Sequence, residues 1–297
     1  MSAKIIDGKA IAAQVRADVA ERVKALQAQG IQPGLAAVLV GDDPASHIYV
    51  GSKQKACAEV GMYSEKVEMS ADSTQAEVLA EIARLNADPK ISGMIVQLPV
   101  PDHISEAALQ AAVAPEKDAD CLGPTNVGLM ARGKGILLPA TPYGVVELLI
   151  RSGIGIEGRD VVIVGRSGLV GMPLAIMLAQ KNQRANATVT ICHTRTKDTA
   201  AHTRRADILV VAAGKAHAVA GDMVKPGAVV IDVGINRTDD GIVGDVDFAS
   251  AKEVAGWITP VPGGVGPMTI AMLLSNTVDS AERGRAAADA GLRTSDR

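Results

Sequence analysis

The sequence predicts an α/β protein of two domains, each built from strands alternating with helices, and three observations lead there. Apolar residues fill 47% of the 297 positions but Phe, Tyr and Trp only 2%. The interior must therefore be made of Ala, Val, Ile, Leu and Met, a composition suited to parallel sheets flanked by helices. Short apolar runs of strand length recur between stretches of helical periodicity. The length exceeds one ordinary domain and gives each of two enough interior for a core without disulfides or metals.

The elements follow in order. Helical periodicity from about Gly8 to Gln29 breaks at Gly30-Ile31-Gln32-Pro33-Gly34, and Leu35 to Val40 reads as a buried strand. A second helix starts near Asp43-Pro44-Ala45-Ser46, with proline and a capping residue at its entry, and runs through Tyr49 and Lys53 to Val60-Gly61. A helix from Thr74 to Ala87 leads to the strand Gly93 to Leu98, closed by Pro99-Val100-Pro101. The stretch from Ala114 to Ala140, rich in Gly, Pro and Asp, reads as loop, and a helix opening at Thr141 runs through Ile150. Beyond it come strands at Val161 to Val164, Ala187 to Ile191, Ile208 to Ala212 and Ala228 to Asp232, with a helix from Met172 to Ala179, the alternation of a Rossmann-like doubly wound sheet. An apolar helix from Met268 to about Ala281 then returns to the first domain. The expected division is 1–140 with a returning helix at 268–285, then 141–267, then a polar tail at 286–297, with a cleft between the two domains.

Bulk properties exclude several function classes. Net charge is -3, with Lys and Arg scattered among acids, so the electrostatic footprint of a nucleic-acid binder is missing. No apolar run approaches the roughly 18 residues of a membrane span, and the opening Met1-Ser2-Ala3-Lys4-Ile5-Ile6-Asp7-Gly8 meets polar residues too soon for a secretory core. Cys57, Cys121 and Cys192 are odd in number and widely spaced, which predicts neither a disulfide framework nor a zinc site. A cytoplasmic protein acting on small molecules, without a metal, is expected.

The strand ending at Val164 turns through Gly165-Arg166-Ser167-Gly168-Leu169-Val170-Gly171 into a helix, so amide donors and a positive helix end would meet a pyrophosphate. Ser167 stands where a dinucleotide fingerprint has its second glycine, and a ligand-free strand-to-helix turn is the structural alternative. The tip of the next strand is Cys192-His193-Thr194-Arg195-Thr196, which lacks the acid that binds a ribose 2′-hydroxyl. Arg166 and Arg195 could instead hold a 2′-phosphate, each charge-assisted bond contributing roughly 1.5–3 kcal/mol, which favours NADP. In the first domain Ser46, Tyr49 and Lys53 fall at helical spacing on one face. Lys53 can move protons near neutral pH only if desolvation or a neighbouring cation lowers its pKa, and a solvated helix lysine is the ordinary alternative. Gln97 closes a strand at the carboxyl edge, where its amide can hold a lysine. Asp118 and Asp120 could accept paired hydrogen bonds from an amidine-like heterocycle edge, or simply form a turn.

Four segments carry a resemblance when taken together: Ser46-x-x-Tyr49-x-x-x-Lys53-x-Lys55-Ala56, Gly93 to Pro101, Gly165-Arg166-Ser167-x-x-Val170-Gly171-x-Pro173, and Ile258 to Thr269 with its Pro262-Gly263-Gly264. They resemble the bifunctional methylenetetrahydrofolate dehydrogenase/methenyltetrahydrofolate cyclohydrolase family, called FolD in bacteria. The resemblance spans roughly residues 4 to 280. It implies that Lys53 is the catalytic group of the cyclohydrolase step with Gln97 tuning it, that Tyr49 stacks on the aminobenzoate of folate, and that Asp120 binds the pterin edge. It puts Leu98, Pro99, Pro262, Gly263 and Gly264 beside the folate. It puts Gly165, Arg166, Ser167, Val170, Gly171, His193, Thr194 and Arg195 on NADP, and Thr141, Ala213, Gly214, Gly234 and Ile235 on the nicotinamide side. Tetrahydrofolate one-carbon derivatives are then the substrates, and a homodimer is the family's assembly. One departure stands out: the family usually reads Lys-Asp-Val-Asp-Gly where this chain has Ala119 and Cys121. If that glycine carries φ > 0, cysteine there costs about 1 kcal/mol or more. The rival readings are a shikimate-dehydrogenase-like NADP oxidoreductase and a catalytically idle nucleotide-binding module.

Overall fold

The computed structural model describes residues 2–239 and 241–295. Its strands are β1 (Lys4–Ile5), β2 (Gly34–Val40), β3 (Tyr63–Met69), β4 (Gly93–Val96), β5 (Asp160–Val164), β6 (Thr188–Cys192), β7 (Ile208–Val211), β8 (Val229–Asp232), β9 (Asn236–Thr238), β10 (Gly241–Val243) and β11 (Trp257–Ile258). The fold is α/β, and the chain forms two compact units. One comprises Gln14–Ala140 and the chain from Ile270 onward; the other comprises the chain through Ala13 and Thr141–Thr269.

The first unit is built on a parallel sheet in the order β3-β2-β4. Every residue of β2 is buried, as expected of a central strand covered on both faces. Ala36, Val38 and Val40 of β2 pack with Met94 and Val96 of β4 and with Val78, Ile82 and Leu85, one stripe of the helix Gln75–Ala87. A reciprocal capping box between Thr74 and Glu77 starts that helix. Strand β3 is absent from the sequence expectation for a physical reason. Its Tyr-Ser-Glu-Lys-Val-Glu-Met is a half-exposed edge whose charges conceal the alternation.

The second unit holds a six-stranded sheet in the order β1-β11-β8-β7-β5-β6, every pairing parallel. The four strands expected here lie within a residue of their predicted bounds. From β5 the chain passes to β6 on one side and then crosses to β7 on the other, so the order reverses at β5, the switch point where open α/β sheets bind ligands. The apolar core gathers Val162, Val164, Leu209, Val211, Val230 and Ile258.

Three differences from the sequence expectation are local. Residues 2–13 group with the second sheet because β1 pairs with β11, two strands too short to leave a periodic signal. The stretch read as loop before Ala140 contains the helix Pro124–Ala131, entered with proline in its first turn, where the missing N–H costs nothing, and held by buried Asn126 and Met130. The last helix spans Val265–Ser295, well past the expected end, because its alanines, arginines and glutamate are good helix formers; the end of the expected tail, 296–297, lies outside the described residues. No described helix is long and apolar enough to cross a membrane.

Candidate active site

The first unit brings Lys53, Gln97 and Asp120 into one electrostatic group. Helix Pro44–Glu59 is started by Asp43, whose carboxylate accepts from Ser46 N and Ser46 Oγ, both at 2.8 Å. Its buried stripe is Ser46, Val50, Lys53 and Cys57, so spacing alone carries the lysine inward, leaving it 9% exposed. Tyr49 sits at the margin of that stripe and is 39% exposed. Gln97 follows β4, its N–H extending the ladder to Val38 O. Its Nε2 donates to Leu98 O at 2.7 Å, which turns Oε1 to accept from Lys53 Nζ at 3.0 Å. Leu98 and Pro99 continue along the same strand edge.

Burial pushes the Lys53 ammonium below the ordinary lysine range, opposed by the attraction of Asp120. Burial pushes the Asp120 carboxyl up, opposed by Lys53 and reinforced by Asp118. Each group is driven toward its neutral form.

The two aspartates of the Asp118-Ala119-Asp120 loop have separate roles. Asp118 is buried and accepts from Leu122 N, Gly123 N and Asn126 Nδ2 at 3.2, 2.9 and 3.0 Å, which makes it the turn former. Among the described residues no donor reaches the half-buried carboxylate of Asp120, whose lone pairs remain for a ligand. The loop runs beside β4 through Ala119 N to Met94 O, and Asn276 Nδ2 ties Ala119 O and Leu138 O from the last helix. Lys117 closes the end of helix Gln75–Ala87 by donating to Leu85 O, Asn86 O and Asp88 O. Cys121 is buried at φ 55, the left-handed region, with Sγ on Leu137 O at 3.3 Å. The conformational condition attached to the family glycine is thus met, by a cysteine.

The second unit lines up the expected cofactor residues along the carboxyl ends of four neighbouring strands. Val164 of β5 is level with Cys192 of β6 and Val211 of β7, and Val211 with Asp232 of β8. Hence Gly165-Arg166-Ser167, His193-Thr194-Arg195, Ala213-Gly214 and Gly234-Ile235 emerge side by side. A Cβ at Gly165 would lie 2.0 Å from Ala212 O, and one at Gly171 would lie 2.1 Å from Gly165 O, so this turn closes only around glycine. Ser167 Oγ accepts from Val170 N at the entry of helix Gly171–Ala179. The turn after β6 is self-braced: Arg195 N donates to His193 Nδ1, and His193 N to Thr196 Oγ1. Arg166 and Arg195 are exposed, and neither is ion-paired among the described residues. Thr141 Oγ1 lies 2.9 Å from Thr269 Oγ1. Pro262, Gly263 and Gly264 belong to this unit, where Gly263 O accepts from Lys9 N, rather than to the unit of Lys53.

Sequence reasoning missed Asp232 and Asp245, two buried carboxylates that brace the segments after β7 and β8. The available signal was an acid set in an apolar run beside glycine, as in Val243-Gly244-Asp245-Val246. Among the described residues no cluster of three or more His, Cys, Asp or Glu could hold a metal.

Two family models match the chain: the tetrahydrofolate dehydrogenase/cyclohydrolase catalytic domain over residues 6–120 and its NAD(P)-binding domain over 139–285. A bifunctional protein FolD of Bordetella petrii is 58% identical over 282 residues, covering 95% of this chain and 95% of that one. The crystal structure of the bifunctional FolD dehydrogenase/cyclohydrolase of Campylobacter jejuni superposes with TM-score 0.91 at 48% identity, covering 95% and 99%. That of Trypanosoma brucei, complexed with NADP and inhibitor, gives 0.90 at 40%, covering 96% and 99%. With both of its domain models matched in order and identity above half across nearly its whole length, the chain belongs to the tetrahydrofolate dehydrogenase/cyclohydrolase family.

Proposed function

We propose that the protein oxidises 5,10-methylenetetrahydrofolate to 5,10-methenyltetrahydrofolate with NADP and then hydrolyses that product to 10-formyltetrahydrofolate. The observation that carries the reading is the buried Lys53 amine held by Gln97 beside the open carboxylate of Asp120, in a chain of this family. Family membership displaces both the shikimate-dehydrogenase-like and the idle-module readings.

NADP, when bound, accepts the hydride of the methylene carbon. The residues fit it: the glycine turn after β5 leads directly into the N-terminal end of helix Gly171–Ala179, whose backbone N–H groups suit a pyrophosphate, and Arg166 and Arg195 are exposed cations with no ion pair among the described residues. Gly165, Ser167, Val170, Gly171, His193 and Thr194 complete that side. Thr141, Ala213, Gly214, Gly234 and Ile235 form the nicotinamide side.

Loss of hydride leaves a cationic N5–C–N10 amidinium and needs no proton donor from the protein. Tyr49 stacks on the aminobenzoate, and Asp120 accepts from the pterin edge. Leu98 and Pro99 complete the folate contacts of this unit. Neutral Lys53 takes a proton from water as its oxygen bonds to the amidinium carbon. It returns that proton to N5 as the C–N5 bond breaks and the carbinol oxygen releases its remaining proton to solvent, leaving the formyl group on N10. A cationic substrate and a desolvated amine favour the same uncharged state of Lys53.

The same reading makes the working enzyme a cytoplasmic homodimer, and a monomer in sedimentation at assay concentration would remove that part. The central test follows methenyl formation and decay by absorbance with methylenetetrahydrofolate and NADP or NAD. NADP-dependent formation followed by protein-accelerated decay is expected; folded protein without either activity overturns the proposal.

A further inference from the structure

Asp245 has no exposed surface, yet it lies just past β10 rather than within the six-stranded sheet. Its Oδ2 accepts from Ala213 N at 2.6 Å and Gly214 N at 2.8 Å, and its Oδ1 from Lys215 N at 3.0 Å and Asn236 Nδ2 at 2.9 Å. Three successive backbone N–H groups converging on one carboxylate form an anion-holding nest. A buried carboxylate is tolerated only when its lone pairs are filled, and four donors fill these.

A second carboxylate stands behind the first. Asp232 accepts from Gly234 N at 2.9 Å, Asp245 N at 3.0 Å and Val246 N at 2.9 Å, while its own N–H donates to Thr259 Oγ1 at 2.8 Å. The chain leaves space for both acids: a Cβ at Gly234 would lie 2.2 Å from Asp245 Cγ, and one at Gly244 would lie 1.8 Å from Asp232 Oδ2. The segments that follow β7 and β8 are therefore fastened to each other through Asp245, with Asp232 fixing the backbone on which Asp245 rides.

We propose that Asp245 is a positioning residue for the nicotinamide end of the dinucleotide, setting the backbone of 213–215 against that of 234–236. Its carboxylate also fills a nest that would otherwise attract a phosphate, leaving the pyrophosphate to the turn after β5. The inference rests on the assignment above of Ala213, Gly214, Gly234 and Ile235 to the nicotinamide side. Asp245 acts on one end of the ligand only, because the turns after β5 and β6 receive none of its hydrogen bonds.

The test is calorimetric titration of Asp245→Asn with NADP and with 2′,5′-ADP, a fragment lacking the nicotinamide half. Asparagine turns an N–H toward a backbone donor. NADP affinity should fall at least about tenfold, or ~1.4 kcal/mol, while that of the fragment changes less than about twofold. Equal losses for both ligands, or no loss for either, overturn the proposal. Asn236→Ala removes one donor of four and decides the matter should Asp245→Asn fail to fold. NADP should then weaken about threefold with the fragment unchanged, and parallel or absent losses again overturn it. Failure of the folate reading is a separate result: wild-type protein that binds NADP without oxidising methylenetetrahydrofolate.

Discussion

Lys53 Nζ donates to Gln97 Oε1 at 3.0 Å, and Gln97 is oriented to receive it because its Nε2 is committed to Leu98 O at 2.7 Å. Replacing the lysine by methionine keeps the length of the stem in a buried stripe and removes only the amine. Lys53→Met should fold, at a cost of about 1–3 kcal/mol for the orphaned Gln97 oxygen. It should lose cyclohydrolase activity by roughly 10²-fold or more and keep measurable hydride transfer and NADP binding. The two steps are read separately as methenyl decay and methenyl formation, and a wild-type decay rate would sink the assignment of Lys53.

The pH dependence follows from the same pair. Burial lowers the Lys53 pKa, so the folded amine is neutral at pH values where a free lysine is still charged. As pH falls through the lowered value the amine takes up a proton, and cyclohydrolase should fall on an acidic limb that hydride transfer lacks. Asp120 opposes the depression. Asp120→Asn should therefore move that limb to lower pH, even as it weakens folate binding; a limb that stays in place argues that Lys53 does not produce it. For stability the slope has the same sign as a carboxylate ion pair's, because in both cases the folded pKa lies below the unfolded one. Between the folded value and the ordinary lysine value the unfolded chain binds more protons, so this group's contribution rises with pH across that window.

How much of this was legible in sequence depended on whether a residue's neighbours were near in the chain. Helix Pro44–Glu59 announced itself through Asp43 and Pro44, and the heptad spacing of Ser46 and Lys53 put both on its buried stripe. Gly165 and Gly171 were readable because strand, turn and helix follow without interruption. Asp245 was not readable, since its donors lie 30 to 32 residues back at Ala213, Gly214 and Lys215 and nine back at Asn236. The separate roles of Asp118 and Asp120 were equally hidden: both are loop aspartates two residues apart, and which of them takes the N–H groups of Leu122 and Gly123 and the Asn126 side chain depends on how the loop turns, which spacing does not show.

Cys121 tests the cost of a side chain in left-handed backbone. At φ 55 the usual order of alanine over glycine should invert, because alanine keeps the strain and loses the thiol contact with Leu137 O, whereas glycine loses only the contact. Urea denaturation should find Cys121→Gly more stable than Cys121→Ala by about 1 kcal/mol. An alanine variant as stable as the glycine variant would mean that the loop relaxes out of the left-handed region, and then Asp120 would shift and the KM for folate would rise.

Arg166 and Arg195 follow two adjacent strands, β5 and β6, and neither is engaged by a carboxylate among the described residues. If they hold the 2′-phosphate, Arg166→Ala should reduce the preference for NADP over NAD by about 10–100-fold, the equivalent of one charge-assisted hydrogen bond. NAD kinetics should be nearly unchanged. Parallel losses with both cofactors would assign Arg166 to the pyrophosphate instead.

Asp232 gives the cofactor unit its own response to acid. Burial raises its carboxyl to about 6, against the pull of three backbone N–H groups and with Asp245 adding to the rise. Above that value both oxygens accept fully. Below it one oxygen carries a proton and holds its N–H less well, and the backbone of Asp245 and Val246 is what loosens. NADP affinity should fall as pH drops from about 7 to about 5, but not through unfolding driven by this group. The unfolded carboxyl has the lower pKa, so between the two values the folded chain binds more protons, and the contribution to stability is most favourable in acid and declines as pH rises through about 6. The 2′-phosphate of the ligand titrates near the same pH, about 6, so the comparison must again be with 2′,5′-ADP, which carries that phosphate without the nicotinamide. The acid loss should be larger for NADP than for the fragment in wild-type protein, and the excess should vanish in Asp232→Asn, whose side chain is neutral throughout. An excess that survives the substitution would move the titration to another group.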